Sequence, residues 1–129
     1  MSEPSRRQHR LEDSLHDIID NIARIESYVV GLTSEDLRLE GMRYDAVERC
    51  LERICEATTR LGGAAAKLMP KQPWQDIRGM GNRLRHAYDH VDIAVVWRVI
   101  TDRLPELKAD AGAALQKLQE CGHQSRSGS

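Results

Sequence analysis

Apolar residues recur at steps of three and four along almost the whole chain and nowhere in sustained alternation. Side chains spaced that way share one face of a helix, whereas a half-buried strand needs a period of two. No Asn-Gly or Asp-Gly hairpin turn interrupts the pattern. The chain therefore reads as all-α.

The first stripe is Leu11, Leu15, Ile18, Ile22, Ile25, Val29 and Leu32, with Asp13, Asp17, Asp20, Asn21 and Arg24 opposite it. This predicts one amphipathic helix over about 7–31, closed by Gly31. Thr33 and Ser34 suit a cap, and Glu35 and Asp36 a first helical turn. A second stripe follows: Met42, Ala46, Val47, Cys50, Leu51, Ile54, Thr58 and Leu61. Gly62 and Gly63 weaken or break it, and Pro70 and Pro73 enforce a turn beyond the short segment Ala64–Met69. A third helix opens at Pro73, with Trp74, Ile77, Leu84, Tyr88 and Val91 as its stripe and Gly81 in the middle of it at heptad spacing. Asp92 caps a fourth, facing Ile93, Val96, Trp97 and Ile100 inward. Pro105 opens the last, striped by Leu107, Ala111, Ala114, Leu115 and Leu118. The expected architecture is an antiparallel up-and-down bundle of four main helices plus a short one, one domain over 1–121, with a disordered tail over 122–129. The long first helix facing an apolar second suggests a dimerisation surface.

At 129 residues, with 40% hydrophobic and 30% charged residues, the chain can bury a core without staples. Aromatic residues are only 4% and Phe is absent, so that core is aliphatic and stacking platforms for bases are scarce. The formal net charge of −1 argues against a broad electropositive surface but leaves room for a local basic site. Three Cys without a Cys-x-x-Cys spacing suggest neither a disulfide framework nor a zinc site. Cys50 and Cys55 read as small core residues, and Glu52, Glu56 and Arg60 as surface ion pairs. The N-terminal stretch has no apolar h-region and no run of 18 apolar residues occurs, so a cytoplasmic location is expected.

The chemistry concentrates in Trp74–Asp92, where Arg78, Arg83, Arg85, His86 and His90 fall close together. On a helix, Arg78, Asn82, Arg85, His86 and Asp89 share one polar flank. One reading is a solvated face with an Arg85–Asp89 ion pair. The other is an anion or phosphate site, in which an imidazole moves protons and a guanidinium stabilises a phosphoryl transition state. That pairing suffices for metal-independent RNA cleavage, because the RNA supplies its own 2′-hydroxyl nucleophile. No Walker-type loop, Rossmann fingerprint or hydrolase triad competes with it.

Three stretches together resemble the HepT-like proteins of the HEPN superfamily, small all-α toxins paired with MntA-type minimal nucleotidyltransferase antitoxins. They are Asp45–Ala57; the set Pro73, Trp74, Ile77, Gly79, Met80, Asn82, Leu84, His86, Tyr88, Val91 and Asp92; and Val96, Trp97, Ile100, Leu104, Pro105 and Leu107. The resemblance covers roughly residues 11–118. It implies a homodimeric helical bundle, an active groove at the dimer interface, and metal-independent endoribonuclease activity on tRNA or mRNA without a cofactor. The family motif is an Arg, four to six residues, then His, usually with Tyr two residues later. His86 matches the His as acid or base, Tyr88 the Tyr and Asn82 the Asn that follows the Arg. Arg78, Arg83 and Arg85 would supply phosphate-binding charge.

The Arg itself is missing, because its position holds Gly81. Losing a charge partner of the transition state costs a few kcal/mol, roughly a hundredfold or more in rate. Three explanations stand side by side: a change that disarms a toxin, replacement by Arg85 or Arg78 at an unusual offset, or a non-catalytic member that only binds the nucleotidyltransferase. The resemblance also makes Tyr88 the acceptor if the partner attaches AMP, which would block the groove and repel RNA phosphate.

Overall fold

The computed structural model describes residues 6–86 and 91–127, with side chains described up to Cys121. Its elements are α1 (Arg6–Val29), α2 (Ser34–Leu39), α3 (Gly41–Leu61), α4 (Gly63–Leu68), α5 (Trp74–His86), α6 (Ile93–Arg98), a π-helical turn (Val99–Arg103) and α7 (Leu104–Ser127). The described residues contain no strand, and the all-α bundle expected from the periodicity is what forms.

α1 lies along α3 and α7, α5 packs on α3, and α2 bridges α3 and α6. Leu15, Ile18, Ile22 and Ile25 of α1 are wholly buried, and so are Val47, Leu51 and Ala57 of α3. Leu104, Leu107, Ala111, Ala114 and Leu115 close the core from α7. Fully burying one such aliphatic side chain contributes about 1.5–3 kcal/mol, so a core that is aliphatic throughout most of its volume suffices. Thr33 and Asp36 form a reciprocal capping box at the start of α2, with bonds of 3.1 and 3.0 Å. Gly31 and Gly62 hold φ at +76° and +57°, a region L side chains rarely adopt, and they end α1 and α3.

Several details depart from the sequence reading. Met42 is 90% exposed, while Tyr44, two residues on, is buried; the α3 stripe starts later than its first apolar residue. Asn21, read as part of the polar face of α1, is buried, and its Nδ2 donates to the Asp17 carbonyl at 2.8 Å. Arg60 does not pair along its own helix but crosses to Asp17 of α1 at 2.6 Å, and Glu52 pairs with Arg49. The fourth and last helices are not separated by a loop: the chain stays helical from α6 through the π turn into α7. Pro105 explains the wide turn, because it has no N–H to offer the carbonyl one turn before it. The backbone of α7 also runs past Cys121 into the stretch read as tail.

α5 is the least embedded long helix. Its one fully buried residue is Gly81, while Trp74, Met80 and Leu84 are half-buried against the core. It rests on α3 by one face, and its polar flank stays open to solvent. Among the described residues no helix is long and apolar enough to cross a membrane.

Candidate active site

The close contact that seats α5 is between Gly81 and Cys55. A Cβ built on Gly81 would stand 3.0 Å from the Cys55 Cβ and 3.4 Å from its sulfur. Glycine inside a helix costs about 1 kcal/mol relative to alanine, and this approach is its local reason. The Cys55 thiol points at the Ile77 carbonyl, 3.6 Å away. Burial pushes it up to about 11, against the opposing pull of the Arg85 guanidinium. It is a neutral packing residue, not a nucleophile.

Beside that contact α3 and α5 leave a recess of about 260 Å³, lined by Cys55, Thr58, Thr59, Gly62, Arg78, Gly81, Asn82 and Arg85. Its lining includes no carboxylate. The Thr58 and Thr59 hydroxyls both donate to the Cys55 carbonyl, at 2.7 and 3.0 Å, so their protons are directed into α3. The donors left for a ligand are the two guanidinium groups and the Asn82 amide. Arg85 Nη2 donates to Asn82 Oδ1 at 2.8 Å, which leaves Asn82 Nδ2 free to face outward. The same Nη2 lies 4.0 Å from the Cβ position of residue 81. Arg85 thus lies at van der Waals distance from where a side chain at 81 would begin. A concave site with two guanidiniums, one amide and no acid in its lining offers hydrogen-bond donors and positive charge, the chemistry that suits an anion.

The residues singled out in the sequence divide into four groups. Arg78, Gly81, Asn82 and Arg85 meet in this recess. Arg83 does not: it faces a separate groove of about 360 Å³, whose lining includes Met80, Val91, Arg98 and Arg103. His86 is the exposed last residue of α5, next to Arg85 in sequence and one helical turn from Asn82. Tyr88, Asp89 and His90 lie outside the described residues, and with them the Arg85–Asp89 pair.

Sequence reading missed the α3 wall of the recess. Thr58 and Cys55 looked like core positions, and they are buried, but their helix also flanks the site. It missed as well the anchor that follows the site. The Val91 N–H donates to Glu48 Oε2 at 2.9 Å, and the Tyr44 hydroxyl donates to the Val91 carbonyl. Burial, reinforced by the carboxylates of Glu48 and Asp92, pushes Tyr44 up to about 12. Among the described residues no group of three His, Cys, Asp or Glu side chains could hold a metal ion.

The family model described as "Ribonuclease HepT-like" matches residues 18–113. The chain is 34% identical over 103 residues to "Probable ribonuclease HepT" of Thermococcus cleftensis, covering 80% of this chain and 92% of that one. Two further relatives carry names that call them RNases by inference. One, from Caldanaerobacter subterraneus subsp. tengcongensis, is 34% identical over 69% of this chain and 80% of its own. The other, from Methanocaldococcus jannaschii, is 29% identical over 82% of this chain and 91% of its own. No solved structure gives a significant match.

Proposed function

This chain belongs to the HepT-like ribonuclease family, and from that premise we propose that it is the toxin-type, metal-independent endoribonuclease of a toxin–antitoxin pair. The observation that carries the reading is the recess of Arg78, Arg85 and Asn82, whose lining holds no acid, with His86 next to Arg85 in sequence though not itself in that lining. A phosphodiester seated there has its non-bridging oxygens against the two guanidiniums. The RNA 2′-hydroxyl attacks the adjacent phosphorus, the 2′-O–P bond forms and the bond to the 5′-oxygen breaks. The 2′-hydroxyl proton leaves and the 5′-oxygen gains one, giving a 2′,3′-cyclic phosphate and a 5′-hydroxyl. His86 is the group that moves a proton in this exchange. The charge that builds on the non-bridging oxygens is what a guanidinium stabilises.

Gly81 sets the rate. An Arg reaching the phosphate from position 81 is missing, and the reaction slows roughly a hundredfold or more for a charge partner removed. Arg85, tied to Asn82 over Gly81, is the guanidinium left to serve. The partners of this reading are a second copy of the chain and an MntA-type nucleotidyltransferase that attaches AMP to Tyr88, in the cytoplasm, with no cofactor. Gly81 also favours a second reading, a non-catalytic module that binds the nucleotidyltransferase. A metal-free cleavage assay on this chain, Gly81→Arg, and Gly81→Arg with His86→Ala separates them. Cleavage that Gly81→Arg raises and His86→Ala abolishes supports the ribonuclease. If none of the three cleaves, the binding module is the function.

A further inference from the structure

A second basic recess lies on the other side of the last turn of α3. It measures about 310 Å³ and is lined by Arg7, Arg10, Leu11, Arg60, Leu61, Gly63, Ala64 and Lys67. Four of the eight lining residues are cations and none is an acid, in a chain whose net charge is −1. Arg60 is held by Asp17 at 2.6 Å. The structure places Arg7, Arg10 and Lys67 in no ion pair among the described residues, whereas Arg38, Arg43 and Arg49 on the α2–α3 side are paired with Glu35, Glu40 and Glu52. This corner therefore presents three cations, Arg7, Arg10 and Lys67, with no acid partner among the described residues.

The two recesses share one wall. Thr58, Thr59 and Gly62 face the recess of Arg78 and Arg85, while Arg60, Leu61 and Gly63 face the other. What separates them is the width of one helix end, about 10–12 Å with side chains. The corner itself is Gly62–Gly63, where no side chain projects; nothing lies within 4 Å of a Cβ built on Gly63. A flexible polyanion can cross there in contact with the backbone.

We propose that this second recess binds the phosphodiester backbone of the same single-stranded RNA, a few nucleotides along from the bond seated between Arg78 and Arg85. The inference rests on the reading of RNA as substrate. Neither recess lining contains an aromatic residue, so the grip is on phosphates and not on bases, and it reads length rather than sequence.

The test uses the full chain and fluorescent 2′-O-methyl oligonucleotides, which cannot be cleaved, of three and twelve nucleotides. The variant set Arg7→Gln, Arg10→Gln and Lys67→Gln is compared with a charge-matched set, Arg38→Gln, Arg43→Gln and Arg49→Gln. The expected result is that the twelve-mer binds more tightly than the trimer, and that the first set weakens the twelve-mer about tenfold or more. That set should also lower the slope of log affinity against log salt by about two, since each cation neutralising a single-strand phosphate adds about 0.7 to it. The trimer, too short to span both recesses, keeps its affinity. Equal losses in the charge-matched set, equal affinity for both lengths, or no loss in the first set overturns the proposal. So does binding of an acidic peptide at this recess with no oligonucleotide binding. Failure of the cleavage assay with length-dependent binding intact would sink the ribonuclease reading alone.

Discussion

Gly81 and Cys55 meet backbone to side chain, with 3.0 Å between the Cys55 Cβ and the place where a Cβ on residue 81 would stand. The opposing atom belongs to the stem of α3, not to the end of a flexible side chain, so α3 and α5 must give by a few tenths of an ångström to admit a Cβ at 81. Gly81→Ala should therefore lose the helix-propensity gain of about 1 kcal/mol to overpacking of about 1–3 kcal/mol, for a net loss of about 1 kcal/mol in urea denaturation. Gly79→Ala is the control: nothing lies within 4 Å of its Cβ position, and it should gain about 0.5–1 kcal/mol. Gly81→Arg carries the same packing cost and should melt roughly 3–6 °C lower. Equal gains at both glycines would mean that α5 is not seated by this contact.

The division of the three arginines has a direct consequence. Arg78 and Arg85 share the anion recess, and Arg83 faces the separate groove that it lines together with Asp76, Arg98 and Arg103. Arg78→Ala and Arg85→Ala should each weaken binding of a short non-cleavable oligonucleotide by tenfold or more, as expected when a charged hydrogen-bond donor worth about 1.5–3 kcal/mol is removed. Arg83→Ala should change it by less than about threefold, the effect of a charge that touches no phosphate. Anisotropy titrations at fixed salt decide this; an Arg83 effect as large as that of Arg85 would move the anion site to the other face of α5.

The helices were legible because burial follows period. The α1 stripe Leu15, Ile18, Ile22 and Ile25 is the buried stripe, and Thr33 caps where capping chemistry indicated. Gly81 was visible as a break in an apolar stripe, but its meaning was not, because nothing local says that Cys55, 26 positions earlier, lies against it. The same limit hid the Arg60–Asp17 crossing and the Thr58–Thr59 wall, since ion pairs and recess walls between helices depend on rotation about two axes at once. The π turn escaped for a different reason: Pro105 reads as a helix start, and only the unbroken path from α6 shows that its missing N–H widens a turn instead.

Burial shifts the Cys50 thiol upward, and, further, the Cys55 thiol to about 11 and the Tyr44 hydroxyl to about 12; the last two link stability most strongly to alkaline pH. Both are neutral when protonated, and the unfolded chain releases these protons first, from ordinary values of 9.0 and 10.0. The stability they contribute is complete below pH 9 and is lost as pH rises through the folded values. Unfolding free energy should fall from pH 9 to about 12. Cys55→Ala should flatten the lower part of that fall and Tyr44→Phe the upper part. In the native protein at neutral pH, a thiol reagent should label exposed Cys121 well before Cys50 or Cys55. A pH profile that Cys55→Ala leaves unchanged would show that its thiol titrates alike in both states.

The chain that leaves the site at His86 is caught again at Val91 by two side chains four residues apart on one face of α3. Glu48 takes the Val91 N–H at 2.9 Å and Tyr44 donates to its carbonyl. A backbone bond to a charged acceptor contributes about 1.5–3 kcal/mol and one to a neutral hydroxyl about 1 kcal/mol. Glu48→Ala should therefore destabilise more than Tyr44→Phe, and Glu48→Gln, which keeps an acceptor oxygen, less than Glu48→Ala. The effect on activity should exceed the effect on stability, because Glu48 lines neither the anion recess nor the Arg83 groove yet anchors the far end of the segment that begins at His86. Hydrogen exchange locates the change: the Val91 amide should exchange faster in Glu48→Ala while the amides of α1 keep their protection. If Val91 exchanges at the same rate in both proteins, Glu48 does not hold it, and any loss of cleavage in that variant must come from elsewhere in α3.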